Sequence, residues 1–303
     1  MPIETTVIGS YPLDPPLDSF ASAVASVSRG EGYFDPFLHP LELSVKEQIL
    51  AGIDIVSDGQ TRADMVSIFA SRLRGIRKFD NVYSVIGDIG WPGPITIPDQ
   101  KMVKKLFPKV KLKGIITGPF TMAKSVRDCY YSDMEELTME FARALNREAT
   151  ALDGIVDVID VDEPFLSVEF PQYANKAVKT VLDGVTTSTC LHVCGDVEPV
   201  FEHIVGMPVD ILSHEFRANP NLIDTFNNAT FSQKICLGSV RTDSEIVESV
   251  EEIECHINRA INLLDDRIIH ASPDCGLRRL PRKIAFKKLA NLSEAARRVN
   301  EEN

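Results

Sequence analysis

Eight short runs of apolar and β-branched residues recur along the chain, separated by longer segments with helical patterning. Turn signals bound each run, and the runs are Thr5–Gly9, Asp54–Asp58, Leu112–Thr117, Val156–Asp162, Thr187–Cys194, Asp210–Glu215, Lys234–Ser239 and Ile268–Pro273. Parallel strands that are buried on both faces have such continuous apolar runs. Eight strand–helix units in series close a parallel sheet into a barrel. The pattern therefore predicts an α/β fold, namely a single (β/α)8 TIM barrel.

The segments between these runs carry helical periodicity, and several open with a capping Asp, Ser or Asn. The predicted helices are Leu41–Ala51, Arg62–Arg74, Asp133–Leu152, Pro171–Asp183, Asn219–Phe226, Ser244–Leu264 and Pro281–Val299. Two segments break the rhythm: Asp80–Lys111 reads as an inserted loop or hairpin, and Asp14–Pro40 is long and rich in Pro, Gly and Ser. In a barrel the segments after strands lie at the catalytic face, so both could cover a substrate. No repeat or linker marks a second domain, which predicts one barrel domain over residues 1–303.

The charge balance narrows the class of partner. The 303 residues include 32 Lys and Arg against 44 Asp and Glu, a net charge of −12. This disfavours binding to nucleic acid or to an anionic membrane through a general field. No apolar run is long enough to span a bilayer, and the N-terminus lacks the pattern of a signal peptide. Six cysteines are too few for a disulfide scaffold. We therefore expect a cytoplasmic protein that acts on small molecules.

Metal-ligand residues follow three of the predicted strands. His192 and Cys194 share one face at the end of a strand because side chains alternate there. Glu215 and Cys275 end two other strands and could converge on the same point. Together they form a donor set that suits tetrahedral Zn²⁺. The alternative is that His192 is a hydrogen-bonded core residue and the cysteines are small buried apolar residues.

Zinc held by two thiolates is suited to activating an incoming thiol, because it keeps the substrate sulfur as a nucleophilic thiolate. The expected chemistry is alkyl transfer to sulfur. In this interpretation Glu215 is the ligand that loosens when the substrate arrives, which gives it a catalytic role as well as a ligating one.

Further polar residues at the strand ends could hold an amino acid. Asp162 could bind an ammonium group, although a structural salt bridge would also explain a carboxylate there. Ser10, after Gly9, could bind a carboxylate or belong to an ordinary turn, and Gln60 could contact either end of an amino acid or lie in a solvated loop. A basic cluster follows Cys275 and could contact a phosphate or carboxylate; it comprises Arg278, Arg279, Arg282 and Lys283. His39, His203 and His256 are predicted on the surface.

The combined motifs resemble the catalytic domain of cobalamin-independent methionine synthase. They run in order over essentially the whole chain: Ile8-Gly9-Ser10-Tyr11-Pro12, Ser57-Asp58-Gly59-Gln60, Thr117-Gly118-Pro119, Asp162-Glu163-Pro164, His192-Val193-Cys194 and Pro273-Asp274-Cys275-Gly276-Leu277. The resemblance implies a zinc-dependent barrel that methylates homocysteine. It also implies that His192, Cys194, Glu215 and Cys275 are zinc ligands. Ile8, Ser10 and Asp162 match residues that contact homocysteine in this family.

The chain departs from the long enzymes of the family at several points. Asp58-Gly59-Gln60 stands where they carry a His-Gly-Glu segment, so an amide replaces a homocysteine-binding carboxylate. Gly238-Ser239-Val240-Arg241-Thr242 lacks their usual histidine, and there is room for one barrel instead of two. The chain is similar to the short, single-barrel forms of the family. That resemblance implies methylcobalamin or a methylated corrinoid protein as the methyl donor. Methyltetrahydrofolate is the alternative donor.

Other functions remain open on sequence alone. A related zinc alkyltransferase could use coenzyme M, although the sulfonate of that acceptor conflicts with Asp162. A non-catalytic zinc-binding or amino-acid-binding protein and a metal-free barrel lyase are further alternatives.

Overall fold

The computed structural model describes residues 2–12 and 35–302. Its strands, in chain order, are β1 (Glu4–Thr5), β2 (Ile55–Val56), β3 (Arg74–Phe79), β4 (Val82–Gly90), β5 (Lys111–Thr117), β6 (Arg127–Asp128), β7 (Val158–Asp162), β8 (Ser188–Val193), β9 (Ile211–His214), β10 (Lys234–Val240) and β11 (Ile268–Pro273). Its α-helices are α1 (Leu38–Leu50), α2 (Met65–Ala70), α3 (Ile97–Leu106), α4 (Pro119–Ser125), α5 (Met134–Leu152), α6 (Ala174–Val181), α7 (Phe201–Ile204), α8 (Leu222–Asn227), α9 (Val250–Leu264) and α10 (Arg282–Glu302).

Eight of the strands form one parallel sheet that curls into a barrel. Its strand order is β1-β11-β10-β9-β8-β7-β5-β2. A parallel bridge between Thr6 and Ile55 joins the two ends of the sheet, and the Thr6 hydroxyl donates a 3.0 Å hydrogen bond to the Ile55 carbonyl. The predicted (β/α)8 barrel is confirmed. All eight predicted strands occur, and Ile268–Pro273 has the predicted bounds.

Strand β2 is shorter than predicted because side chains satisfy the backbone at both of its ends. The Asp54 N–H donates a 3.1 Å hydrogen bond to the Thr5 hydroxyl, which in turn donates to the Asp54 carboxylate. Beyond the strand, the Ser57 N–H donates to the Gln48 side chain, and the Ser57 hydroxyl donates to the Gly9 carbonyl. These bonds replace ladder pairing and fix the loop that enters the barrel mouth.

The interruption predicted at 80–111 contains a hairpin, as expected, but the hairpin begins earlier. Strands β3 and β4 pair antiparallel around Asp80 and Asn81, which have φ values of +46° and +66°. Two such residues are typical of a type I′ hairpin turn. The hairpin ends the predicted helix Arg62–Arg74 early, at Ala70, while its N-terminus is capped by the Asp64 side chain.

The insertion also contains helix α3, which the sequence pattern did not predict. Glu148 of α5 anchors its N-terminus, accepting hydrogen bonds from the Trp91 indole, the backbone N–H groups of Ile95 and Thr96, and the Thr96 hydroxyl. This buried carboxylate holds the insertion against the barrel wall. Of the long segment Asp14–Pro40, residues 14–34 lie outside the described residues. No helix within the described ranges is both long and apolar enough to cross a membrane.

The lower barrel interior is mainly apolar but contains one buried ion pair. The apolar residues that fill it are Ile55, Val158, Cys190, Ile211 and Cys236. Lys113 and Asp160 lie among them, with 3.0 Å between Nζ and Oδ2, and are 1% and 0% exposed. Outside the barrel, His256 is buried, which corrects its predicted surface position. Its Nε2 lies 3.0 Å from the Gly238 carbonyl oxygen because α9 packs that face against β10.

Candidate active site

Three potential metal ligands meet at the carboxyl ends of two barrel strands. His192 lies near the end of β8, Cys194 follows that strand, and Cys275 follows β11. The His192 Nε2 lies 3.0 Å from the Cys194 Sγ, which lies 2.9 Å from the Cys275 Sγ. One ligand atom from each residue lies within 4.8 Å of the others. Two sulfurs and one imidazole nitrogen thus face a common point.

The orientation of His192 is set by the neighbouring strand. Its Nδ1 lies 3.0 Å from the hydroxyl oxygen of Ser213, which is fully buried. The two residues are paired in register between β8 and β9. A hydrogen bond at Nδ1 fixes the ring and leaves Nε2 to face the two sulfurs, as in protein metal sites where a second group orients each histidine ligand.

The electrostatics of this group favour a bound cation. Burial lowers the pKa of His192, but the hydrogen bond and charge of Cys275 outweigh it and raise that pKa to about 9. A hydrogen bond from Cys194 lowers the pKa of Cys275 to about 4, while the same bond and burial raise the pKa of Cys194 well above its usual range. The cluster therefore stabilises negative charge on sulfur, and a metal ion can replace its shared protons.

Glu215, the fourth predicted ligand, lies beside this group without belonging to it. It follows β9 and lines the same pocket, but its carboxylate oxygens are not among the atoms that lie within 4.8 Å of one another. Burial, followed by the negative charge of Cys275, raises the pKa of Glu215. Three of the four predicted ligands are thus brought together, and the fourth is a neighbour.

All the site residues predicted from the sequence line one pocket of about 460 Å³ at the barrel mouth. They are Ile8, Ser10, Gln60, Asp162, His192, Cys194, Glu215 and Cys275. The pocket is formed by the ends of at least five barrel strands, which explains how residues distant in sequence share it.

Asp162 lines this pocket and carries one unpaired carboxylate oxygen. It is 6% exposed, and its Oδ1 has no hydrogen-bond partner in the described part of the chain. Burial, followed by the charge of Asp160, raises the pKa of Asp162 well above its usual range. The structural salt bridge considered for this strand is made by Asp160, with Lys113, and not by Asp162. A buried carboxylate oxygen without a donor is expected to be satisfied by a ligand, and a cation suits it best.

Ser10 lies against the loop that carries Cys275. Its carbonyl accepts a 2.8 Å hydrogen bond from the Leu277 N–H. A Cβ at Gly276 would come within 2.3 Å of the Ser10 Oγ, so a larger residue there would displace the Ser10 hydroxyl. Ser10 and Cys275 are therefore held next to each other on the pocket wall.

Gln60 is held in the left-handed region, with φ of +48°. Its N–H donates a 2.8 Å hydrogen bond to the Asp58 carboxylate, and its carbonyl accepts one from the Arg278 guanidinium. Burial raises the pKa of Asp58 to about 6. These contacts fix the backbone of Gln60 and leave its side chain on the pocket wall.

Sequence patterns did not identify every residue of the site. Ser213 is not among the predicted site residues. Aligning the two neighbouring strands in their correct parallel register would have placed it beside His192. Arg278 and Arg279 do line the pocket, whereas Arg282 of the same basic cluster forms an ion pair with Glu47. Sequence alone gave no means of separating these arginines.

Comparisons with known proteins match nearly the whole chain to one family. A family model described as "Cobalamin-independent synthase, Catalytic domain" matches residues 3–298. The chain is 38% identical to a methionine synthase of Methanocaldococcus jannaschii, over 97% of this chain and 99% of the relative. It is 36% identical to a methionine synthase of Methanothermobacter marburgensis, over 96% and 98%.

A solved structure supports the same assignment. A B12-independent methionine synthase from Shewanella sp. W3-18-1, determined in complex with selenomethionine, superposes with a TM-score of 0.84 and 26% identity. The superposition covers 100% of this chain and 99% of that one.

Proposed function

The chain belongs to the family of cobalamin-independent methionine synthases and is a methyltransferase; on that premise we propose that it methylates homocysteine on a zinc ion held at the barrel mouth. The observation that carries the proposal is the meeting of His192, Cys194 and Cys275 in one pocket with the unpaired oxygen of Asp162. The first group suits a soft metal that binds a thiolate, and the second suits an ammonium group. Homocysteine carries both a thiol and an ammonium group.

The donor set fits zinc. Two cysteine sulfurs and a histidine nitrogen are common ligands of tetrahedral Zn²⁺, and such sites leave a further position for a carboxylate or substrate. We propose that Glu215 supplies the fourth ligand and is displaced or loosened by the substrate. When bound, zinc would lower the pKa of the acceptor thiol and keep its sulfur nucleophilic.

The protein side chains would hold the rest of the acceptor. We propose that Asp162 accepts hydrogen bonds from the substrate ammonium, which also supplies the missing partner of its Oδ1. Ser10 and Gln60, with Ile8 beside them, would contact the amino acid head. Fixing the sulfur and methyl group in near-attack geometry can contribute about 7–11 kcal/mol to catalysis. In the transfer, the sulfur forms a bond to the methyl carbon, and the electron pair of the broken bond leaves with the donor.

Two classes of methyl donor, corrinoids and methylated folates, could supply the methyl group. The matching family is described as cobalamin-independent, so the expectation of methylcobalamin or a corrinoid protein gains no support from the comparisons. A methylated folate is the alternative donor that the sequence left open. Both enter the experiment as substrates.

The assay is methionine formation from homocysteine, run with the zinc-loaded chain and each donor in turn: methyltetrahydrofolate, its triglutamate form and methylcobalamin. Coenzyme M replaces homocysteine in a parallel series. We expect methionine with at least one donor and little transfer to coenzyme M, because Asp162 repels its sulfonate. A zinc-loaded protein that transfers no methyl group from any of these donors would favour a non-catalytic role. Methyl transfer by the metal-free protein would contradict the proposal.

Two further expectations stay proposals. We propose that the protein is located in the cytoplasm. All six of its cysteines are free thiols, as expected in that reducing compartment. We also propose that residues 1–303 act as one domain, since one apolar core extends from Ile3 to Val299 through the described residues.

A further inference from the structure

Two arginines at the mouth of the pocket have no role in the proposed binding of homocysteine. Arg278 and Arg279 follow Cys275 by three and four residues, and both line the pocket. Their loop is fixed by hydrogen bonds from the Leu277 N–H to the Ser10 carbonyl and from the Leu280 N–H to the Leu277 carbonyl. Their position relative to Cys275 is therefore set by the backbone.

Arg278 is a cation with unused donors. One of its terminal nitrogens donates to the Gln60 carbonyl, but its Nε is buried and has no hydrogen-bond partner among residues 2–12 and 35–302. Burial lowers the pKa of Arg278, and only the charges of Asp64 and Asp58 oppose this. An unpartnered donor of a charged group costs free energy unless a ligand satisfies it.

The nearby carboxylates are already engaged elsewhere. Asp58 accepts hydrogen bonds from the Gln60 N–H and the Gln100 amide. Asp64 accepts from the Val66 and Ser67 N–H groups at the start of α2. Neither carboxylate forms an ion pair with Arg278 among the contacts of the described residues.

Other arginines near the pocket mouth form ion pairs, in contrast to Arg278. Arg62 forms ion pairs with Asp35 and Asp99, and Arg282 forms one with Glu47. Arg279 is exposed, and no ion pair of it occurs within the described part of the chain. Within the described residues, two cations therefore line the pocket without an ion pair.

We propose that Arg278 and Arg279 form an oxyanion subsite that binds a carboxylate or phosphate group of the methyl donor. Guanidinium groups bind such planar or tetrahedral oxyanions through paired hydrogen bonds. The subsite belongs to the donor because Asp162 and His192 are buried deeper, at 6% and 1% exposure, while Arg279 lies in the open mouth. A methyl group approaching the acceptor sulfur from outside brings the rest of its carrier against these arginines. The inference rests on the proposed function, which assigns the inner pocket to homocysteine.

The test uses the zinc-loaded full chain with two probes, glutarate and inorganic phosphate, measured by calorimetry. The variants are Arg279→Gln and Arg278→Gln, and the matched control is Arg147→Gln, an exposed arginine of α5. We expect each site variant to weaken probe binding about tenfold or more, which is the effect of losing one charged hydrogen bond. The control should bind like the unmodified chain. Tighter binding of glutarate would identify a carboxylate-bearing donor, and tighter binding of phosphate a phosphate-bearing one.

A second measurement separates this inference from the proposed function. Homocysteine binding is followed in the cobalt-substituted protein by the sulfur-to-cobalt absorption band. We expect the band and its midpoint to be unchanged in Arg279→Gln, while KM for the active donor rises about tenfold or more. A weaker midpoint for homocysteine with an unchanged donor KM would assign the arginines to the acceptor and overturn the proposal, as would probe binding equal to that of the control. Absence of the band in the unmodified chain would contradict the proposed function but would leave the probe result to stand.

Discussion

Cys194 and Cys275 are separated by 81 positions in the sequence, yet their Sγ atoms lie 2.9 Å apart. The first follows β8 and the second follows β11, so closure of the barrel brings them together. Residues from scattered positions can therefore form one soft metal site, as parallel strands of a barrel end at a common rim.

Loss of one sulfur should remove the metal. We expect Cys275→Ala to purify with little zinc, against about one ion per chain in the unmodified protein, and to lose methionine formation. Cys255→Ala is the matched control because Cys255 is an exposed thiol on α9. Elemental mass spectrometry measures the zinc content of each variant. An unchanged zinc content in Cys275→Ala would refute the assignment of Cys275 as a zinc ligand.

Ser213 should affect metal affinity without touching the metal. Ser213→Ala removes the hydrogen bond that orients His192, and we expect zinc affinity to fall about 10–100-fold. Ser239→Ala serves as control, since Ser239 is also buried but its hydroxyl donates to the Leu237 carbonyl. Competition with a chromophoric chelator gives the affinities. Equal affinities for the two variants would mean that His192 needs no such support.

Asp162 should distinguish acceptors by their ammonium group. We expect Asp162→Asn to raise KM for homocysteine about tenfold or more, because a charged hydrogen bond is lost. 4-Mercaptobutyrate lacks the ammonium group and should be a much poorer acceptor than homocysteine. Its KM should therefore be the same in Asp162→Asn as in the unmodified chain. Zinc content is measured in parallel and should be retained. An equal loss for both acceptors would contradict the role of Asp162 as the ammonium site.

Stability should fall as the pH is lowered through the range in which His256 titrates. Burial lowers the pKa of His256 from 6.5 to about 4, so between these values the unfolded chain binds more protons than the folded one. Stability is then fully present above pH 6.5 and is lost toward pH 4, by roughly 2–3 kcal/mol at pH 4.5 for this group. Urea unfolding of His256→Gln should show a correspondingly shallower pH dependence. Exposed His203 supplies the control, and an unaltered slope in His256→Gln would exclude this contribution.

The barrel was predictable because each buried parallel strand has its own apolar run, as Ile268–Pro273 shows. The site was predictable where alternation along one strand decides it, as for His192 and Cys194. The hairpin was only partly predictable. Its β3 strand, Arg74–Phe79, is mostly exposed and lacks an apolar pattern, so the sequence predicts no strand there and a helix that ends at Arg74.

Contacts that depend on closure could not be predicted. The ion pair of Lys113 with Asp160, the left-handed conformation of Gln60 and the unpaired donor of Arg278 arise from neighbours that are distant in sequence. His256 was placed on the surface because one imidazole in a charged helix gives no sign of the Gly238 carbonyl that it contacts.

The number of sulfurs around zinc tests the central claim most directly. X-ray absorption at the zinc edge should show two sulfur ligands in the zinc-loaded chain and three after homocysteine is added, since the substrate sulfur joins those of Cys194 and Cys275. A spectrum that does not change on addition of saturating homocysteine would contradict the account.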